Sequence, residues 1–238
     1  MKDKNFILFG SSGGIGSQLA ADLNDCKSKL LVGYHHAVPD YGFSVEKSAP
    51  VDASSFESVI NFIEEAKAIA GEIHGVVSLP GSVILRPPHL ITENDFQKSV
   101  NVNLKTAFSV LRACGKILDN CSVVFLSTAV TDIGLNNHEM IVAVKAGIES
   151  MVKSASITYA TKSLRFNVVA PGLVDTPLTE RIVNNPKALE ISKKMHPRGR
   201  IGSPKDISRM ISFLLDPAND WITGQTFRVD GGLSSTKS

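Results

Sequence analysis

The chain has 238 residues, 43% of them hydrophobic, enough to bury one sizeable core, and we read it as a single domain over 1–238. Twenty-five Lys and Arg against 23 Asp and Glu leave a formal charge of +2. With no long basic run, this excludes an electrostatic nucleic-acid binder and points to a small-molecule partner.

Taken in chain order, short apolar runs alternate with longer amphipathic stretches, the rhythm of β-α units around a parallel sheet buried on both faces. Phe6 to Phe9 predicts the first strand. Behind Met1-Lys2-Asp3-Lys4 it is too short for a signal peptide's core, and no later segment reaches membrane-spanning length. A cytoplasmic protein with no membrane partner is therefore expected. Leu30 to Val32 is the second run, and Ser54 to Ala70 places Phe56, Val59, Ile60 and Ile63 at helical spacing. Ile73 to Leu79 predicts a strand, Pro87-Pro88 a break, and Thr92, three residues before Asp95, a helix start. A further helix is predicted from Ser99 into Leu118, then a strand over Val123 to Leu126 and a helix from near His138 to Thr161. Phe166 to Val169 and Thr226 to Val229 predict the last strands. The stretch from Asp175 to Arg200 is the least patterned; because it follows a strand's C-terminal end, it is expected to be a substrate lid. Cys26, Cys114 and Cys121 lack the spacing of zinc ligands, so no metal is expected and all three are read as buried reduced thiols.

The loop Gly10-Ser11-Ser12-Gly13-Gly14-Ile15-Gly16 follows a strand and opens a helix. Glycines at 10, 14 and 16 let the chain turn tightly and bring its backbone close to a pyrophosphate, whose charge faces the helix N-terminal amides. Ser11 and Ser12 add hydroxyl donors. Taken alone, the same loop also reads as an ordinary strand-to-helix turn.

The motifs that follow resemble the short-chain dehydrogenase/reductase family nearly end to end. The opening resembles the family's Thr-Gly-x-x-x-Gly-Ile-Gly, with Phe9 in the threonine's place, and Val51-Asp52 resembles the segment whose acid, here Asp52, binds adenine. Val100 to Leu104 is similar to the stretch that supplies a structural and catalytic asparagine, which falls at Asn103. Asn167 to Thr176 resembles the nicotinamide-side loop, with Pro171, Gly172, Val174 and Thr176 at cofactor-contacting positions. Gly199 to Ile207 and Ile222 to Gly232 match the C-terminal segments. The resemblance implies an α/β fold, a Rossmann-type doubly wound seven-stranded parallel sheet with helices on both faces, binding NAD or NADP. It also implies a homo-oligomer, tetramer or dimer, built on the two long central helices.

The second strand runs Leu31-Val32-Gly33-Tyr34-His35-His36, without the acid that would accept bonds from a free ribose. His35 can donate to a 2′-phosphate, so NADP(H) is favoured over NAD(H); a solvated loop with incidental histidines is the alternative.

In the family, a Tyr-x-x-x-Lys pair lies on one helical face, with a serine about thirteen residues upstream. Lys145-Ala146-Gly147 anchors that motif here, which puts Ile141 in the tyrosine's place and Thr128 in the serine's. Thr128 keeps a hydroxyl and Lys145 keeps its positive charge, but Ile141 can neither give nor take a proton. Ser78-Leu79-Pro80-Gly81 replaces the family's Asn-Asn-Ala-Gly, leaving Gly81 its backbone contacts to the cofactor while the bracing asparagines are lost. Asn103 would form a backbone kink or hold a water beside Lys145. His138, seven residues before Lys145, is the nearest substitute acid, at the spacing of the Tyr-x6-Lys pair of the family's enoyl-reductase branch; surface decoration is the other reading. Asp132 is a weaker candidate.

Two functions follow. One is an NADP(H)-dependent reductase, conjugate or carbonyl, whose chemistry dispenses with tyrosine: reduction at the β-carbon of an unsaturated carbonyl needs charge stabilisation first and a carbon-bound proton later. The other is a non-catalytic dinucleotide sensor or support subunit.

Overall fold

The computed structural model describes residues 1–236. Its strands are β1 (Asn5–Phe9), β2 (Lys29–Tyr34), β3 (Lys47–Pro50), β4 (Gly75–Ser78), β5 (Ser122–Leu126), β6 (Arg165–Pro171) and β7 (Thr226–Val229). They form one sheet in the order β3-β2-β1-β4-β5-β6-β7, and every pairing is parallel. This is the doubly wound Rossmann-type sheet the sequence implies. Its order reverses between β1 and β4, where such a sheet leaves a crevice outside the strands' C-terminal ends.

Side chains alternate across the sheet because successive residues of a strand face opposite ways. In β1, Phe6 and Leu8 join a core with Leu19, Leu23, Ile211 and Leu214 from α1 (Gly14–Asp25) and α8 (Pro204–Leu215). Ile7 and Phe9 face the other core, with Ile63 from α2 (Phe56–Ala70), Val110 from α4 (Thr106–Ile117) and Ile148 from α5 (Glu139–Thr158). All six predicted runs are strands. The seventh, β3, has no counterpart among those runs: Lys47-Ser48-Ala49-Pro50 is an edge strand of alternating exposure with no apolar run.

Three expectations change. The start at Thr92 is a full capping box with Asp95, but α3 (Glu93–Ser99) does not end before the next helix. It passes through a π-helical segment, Val100–Lys105, into α4, so the helix predicted from Ser99 is the second half of a longer one. The stretch 175–200 is not structureless; it holds α6 (Glu180–Val183) and α7 (Pro186–Met195). Asn185 caps α7 by accepting from the amides of Lys187 and Ala188, with Pro186 in the first turn. Cys114 and Cys121 are buried, but Cys26 is exposed where α1 ends. Among the described residues, no helix is long and apolar enough to cross a membrane.

Candidate active site

The glycine loop lies at the C-terminal end of β1. Gly10 turns the chain at φ +75°, and a Cβ there would sit 3.0 Å from the Pro80 nitrogen, so this glycine lets β1 and the segment after β4 meet. A Cβ on Gly16 would lie 2.7 Å from the Gly10 carbonyl oxygen, so only glycine lets α1 start this close to the turn. Gly13 caps α1 with no side-chain hydrogen bond, which leaves the first amides of the helix open to an anion. Ile15 packs on the α1/α8 core. Gly14 faces the segment after β6: its Cβ would come within 3.0 Å of Thr176 Cγ2. The expected pair of hydroxyl donors is corrected, since only Ser12 is exposed. Ser11 is fully buried and its hydroxyl turns inward to the Gly33 carbonyl, 3.4 Å away.

At the far end of the crevice, His35 and His36 follow β2 with their ring centroids 3.7 Å apart. Asp52, just past β3, accepts from the amide (2.9 Å) and hydroxyl (2.7 Å) of Ser54. Hydrogen bonding to Ser54 holds this carboxyl below its usual range despite partial burial, helped by the charges of His35 and Lys105. Asp52 follows the edge strand that the sequence pattern did not reveal.

At the other end, Lys145 projects from α5 and is only 7% exposed. Its Nζ donates to the Leu126 carbonyl at 3.0 Å, at the end of β5, and burial lowers its pKa to about 8. A Cβ on Gly81 would stand 3.4 Å from Asn103 Oδ1 and 3.6 Å from Lys145 Nζ, so the structure brings these three residues together. Asn103 lies in the π-helical segment and is engaged on every side. Its Oδ1 accepts from Ser82 N (3.2 Å), and its Nδ2 donates to Ser99 O (3.0 Å), Ser82 O (3.2 Å) and Ser82 Oγ (3.1 Å). Of its two expected roles, the backbone kink has this geometry. Ser82, three residues after Leu79, which stands at the family's second asparagine, is thus braced from the π-helical segment.

Thr128 follows β5 in extended backbone, and its hydroxyl makes no hydrogen bond among the described residues. One turn before Lys145, Ile141 is 4% exposed and packs with Met140, Val144, Leu85, Val100 and Leu104. The tyrosine position is therefore closed by alkyl groups. His138 is the residue before α5, and its carbonyl already accepts from the Val142 amide, so the helical register reaches it. Its Nδ1 lies 2.8 Å from the Asn136 carbonyl, a pairing that leaves Nε2 free. Asp132 is corrected as an acid: it is held bidentately by Arg228 at 2.7 Å and 2.7 Å, and hydrogen bonding to that guanidinium keeps its carboxyl below the usual range.

Sequence reasoning missed the polar group beneath this site. Glu149, one turn past Lys145, accepts from Ser127 (2.5 Å), Thr131 (2.9 Å) and Arg228 (3.0 Å). Ser127 immediately precedes Thr128, so Glu149 fixes the backbone that carries the free hydroxyl. The β7 arginine is 79 residues away in sequence, beyond any local pattern. On the loop after β6, Val174 is buried and bridges to Gly202, and Thr176 pairs with Thr179 in a capping box.

A glycine-cradled helix start at the switch point, with a desolvated lysine across the crevice, defines a dinucleotide-binding α/β protein. A sequence model of the family described as enoyl-(acyl carrier protein) reductase matches residues 10–234. A tropinone reductase homolog of Arabidopsis thaliana is 29% identical over 186 residues, 77% of this chain and 57% of that protein. A hydroxynaphthalene reductase-like protein of Metarhizium brunneum is 25% identical over 248 residues, covering 95% of this chain and 93% of that protein. The ligand-free aldohexose dehydrogenase of Thermoplasma acidophilum superposes with a TM-score of 0.87 at 26% identity, over 99% of this chain and 96% of the other. The chain belongs to the short-chain dehydrogenase/reductase family, oxidoreductases that use nicotinamide cofactors.

Proposed function

We propose that this protein is an NADP(H)-dependent reductase that reduces a conjugated carbonyl substrate without a tyrosine acid. A bound reduced nicotinamide would supply the hydride. The cradle fits a pyrophosphate because glycines at 10, 14 and 16 let the turn, the start of α1 and the segments after β4 and β6 close together, and no side-chain hydrogen bond caps the α1 amides. Gly10, Ser12, Gly14, Ile15 and Gly16 would hold the phosphates, Asp52 the adenine and His35 a 2′-phosphate. Gly81, Lys145, Pro171, Gly172, Val174 and Thr176 would hold the nicotinamide half.

One observation carries the reading: Lys145 is a buried cation whose hydrogen-bond partner in the chain is a neutral carbonyl, while the position that would relay a proton is sealed by Ile141. Such a site favours charge stabilisation at a substrate oxygen over immediate proton delivery. Thr128 would donate to that oxygen, and water, or His138 through Nε2 when its ring is protonated, would supply the later proton. The family description as an enoyl reductase supports the conjugate reading, while the relatives' names support plain carbonyl reduction. Exposed Phe96 and Phe108 on α3 and α4 and Ile157 on α5 support assembly of copies through the two central helices.

The test is a panel of enones, enoyl thioesters and ketones, followed by loss of nicotinamide absorbance. Turnover of the unsaturated members above the ketones is expected, and it should be lost in Lys145→Ala. Tight NADPH binding without turnover on the whole panel would turn the reading to the sensor. A tenfold preference for NADH would reject the role given to His35.

A further inference from the structure

His196 belongs to none of the motifs above. It directly follows α7, is 4% exposed, and has both ring nitrogens engaged. Nδ1 lies 2.6 Å from the Ser192 carbonyl oxygen, and Nε2 lies 3.2 Å from the backbone nitrogen of Leu173. A carbonyl only accepts and an amide N–H only donates, so these partners define one neutral tautomer with its proton on Nδ1. The ring therefore ties the end of α7 to the loop after β6, one residue from Val174. Gly172 makes room for it: a Cβ there would come within 2.6 Å of Nε2.

We propose that His196 is a pH-operated latch, holding the 175–200 segment against the Leu173 backbone when neutral and releasing it when protonated. A proton on Nε2 would set an N–H against the Leu173 N–H. Leu173 then loses its acceptor, so the ring turns away into the adjoining space or leaves the Leu173 amide without its partner in the chain. The charges around the ring do not abolish this conflict. Asp230, just after β7, lines the same cavity, and its carboxylate already accepts from the amides of Gly232 and Ser234 (2.9 Å each) and the Ser234 hydroxyl. Arg198 lines the same cavity as the ring, and Lys193 and Lys194 stand in the last turn of α7. Arg200 and Asp206 from α8 neutralise each other through bonds of 2.8 Å and 3.0 Å. His196, Asp230 and the two arginines line a cavity of about 80 Å³, so the ring has space to move into.

The proposal rests on reading this segment as a lid, and the two can fail separately. Amide hydrogen exchange on the ligand-free full chain, corrected for intrinsic rates, reports the latch. Between pH 7.0 and 5.5, protection of Leu173 and of α7 should fall about tenfold, the scale of one buried hydrogen bond. In His196→Gln it should change less than about twofold, because the amide oxygen can accept from Leu173 and the amide nitrogen donate to Ser192 without titrating. Gly172→Ala, which displaces the ring, should show the low-pH pattern already at pH 7.0. NADH affinity over the same range reports the lid: it lacks the 2′-phosphate that His35 would sense, and the range lies below the titration of Lys145 at about 8. A weakening of about threefold or more in the parent and none in His196→Gln is expected. An exchange response without an affinity response keeps the latch and overturns the lid reading. Equal pH responses in parent and His196→Gln, or none in the parent, overturn the latch.

Discussion

Gly16→Ala tests whether backbone approach, rather than ligand contact, demands the last glycine of the loop. The added Cβ would lie 2.7 Å from Gly10 O, 2.8 Å from Ser11 Cα and 2.9 Å from Ser11 C. All three are backbone atoms, so no rotamer relieves the clash and α1 must move from the turn. Overpacking of this kind costs about 1–3 kcal/mol, offset by a fraction of alanine's ~1 kcal/mol helix advantage in the first turn. A net loss of about 2 kcal/mol should lower Tm by about 4–8 °C in a chain of this size. Gly13→Ser is the control. Gly13 has ordinary extended backbone, its Cβ would meet nothing closer than Gly10 O at 3.6 Å, and serine is a good N-cap. Its Tm should hold or rise. Both variants are read by thermal unfolding without ligand, then by NADPH fluorescence titration, where Gly16→Ala should lose about tenfold or more in affinity as the amide cradle shifts. A Gly16→Ala protein with the parent's Tm would refute the packing argument.

Lys145→Met should stabilise the protein at pH 7 while abolishing any turnover. Burial depresses the folded pKa to about 8, below the unfolded value, so the unfolded chain holds more protons between pH 8 and about 10 and the parent's stability rises with pH there. The variant's advantage, about 1–2 kcal/mol at pH 7 after the lost bond to Leu126, should shrink by pH 9.5 in urea unfolding; a constant advantage would contradict desolvation as the cause. Arg228→Met leaves Glu149 buried without its cation and should cost about 2–4 kcal/mol, with Glu149→Gln in that background recovering part of the loss. Strict additivity in the denaturant cycle would mean the two are not coupled. Among the cysteines, Cys26 alone should react with a thiol reagent in the native protein. Cys114 and Cys121 are buried, and burial raises both thiols, so they should react only on unfolding; early labelling of either would contradict the packing.

The central strands were legible because both faces are buried, which writes them as continuous apolar runs such as Phe6 to Phe9 and Val123 to Leu126. An edge strand lacks that constraint, and Lys47 to Pro50 carries no such run. Likewise α6 and α7 contain no buried residue, so periodicity is faint, although Asn185-Pro186 was a readable start. In the site, spacing located the glycine loop, Asn103, Thr128 and Lys145, since each stands in a local motif. What spacing could not give was direction and distant partnership. Ser11 turns inward, Asp132 belongs to Arg228, and His196 meets Leu173 across 23 residues.

The same α5 helix separates three kinds of environment within two turns. Ile141 sits in alkyl packing, Lys145 faces the crevice, and Glu149 faces the group formed by Ser127, Thr131 and Arg228. The nearest acid on the helix therefore has its own cation and does not neutralise Lys145, whose shift comes from burial alone. Burying an unpaired ammonium is unfavourable, so folding alone gains nothing from a lysine here. Its place beside Gly81 and Asn103 fits a group whose counter-charge arrives with the ligand, which is the task the proposed reductase assigns it.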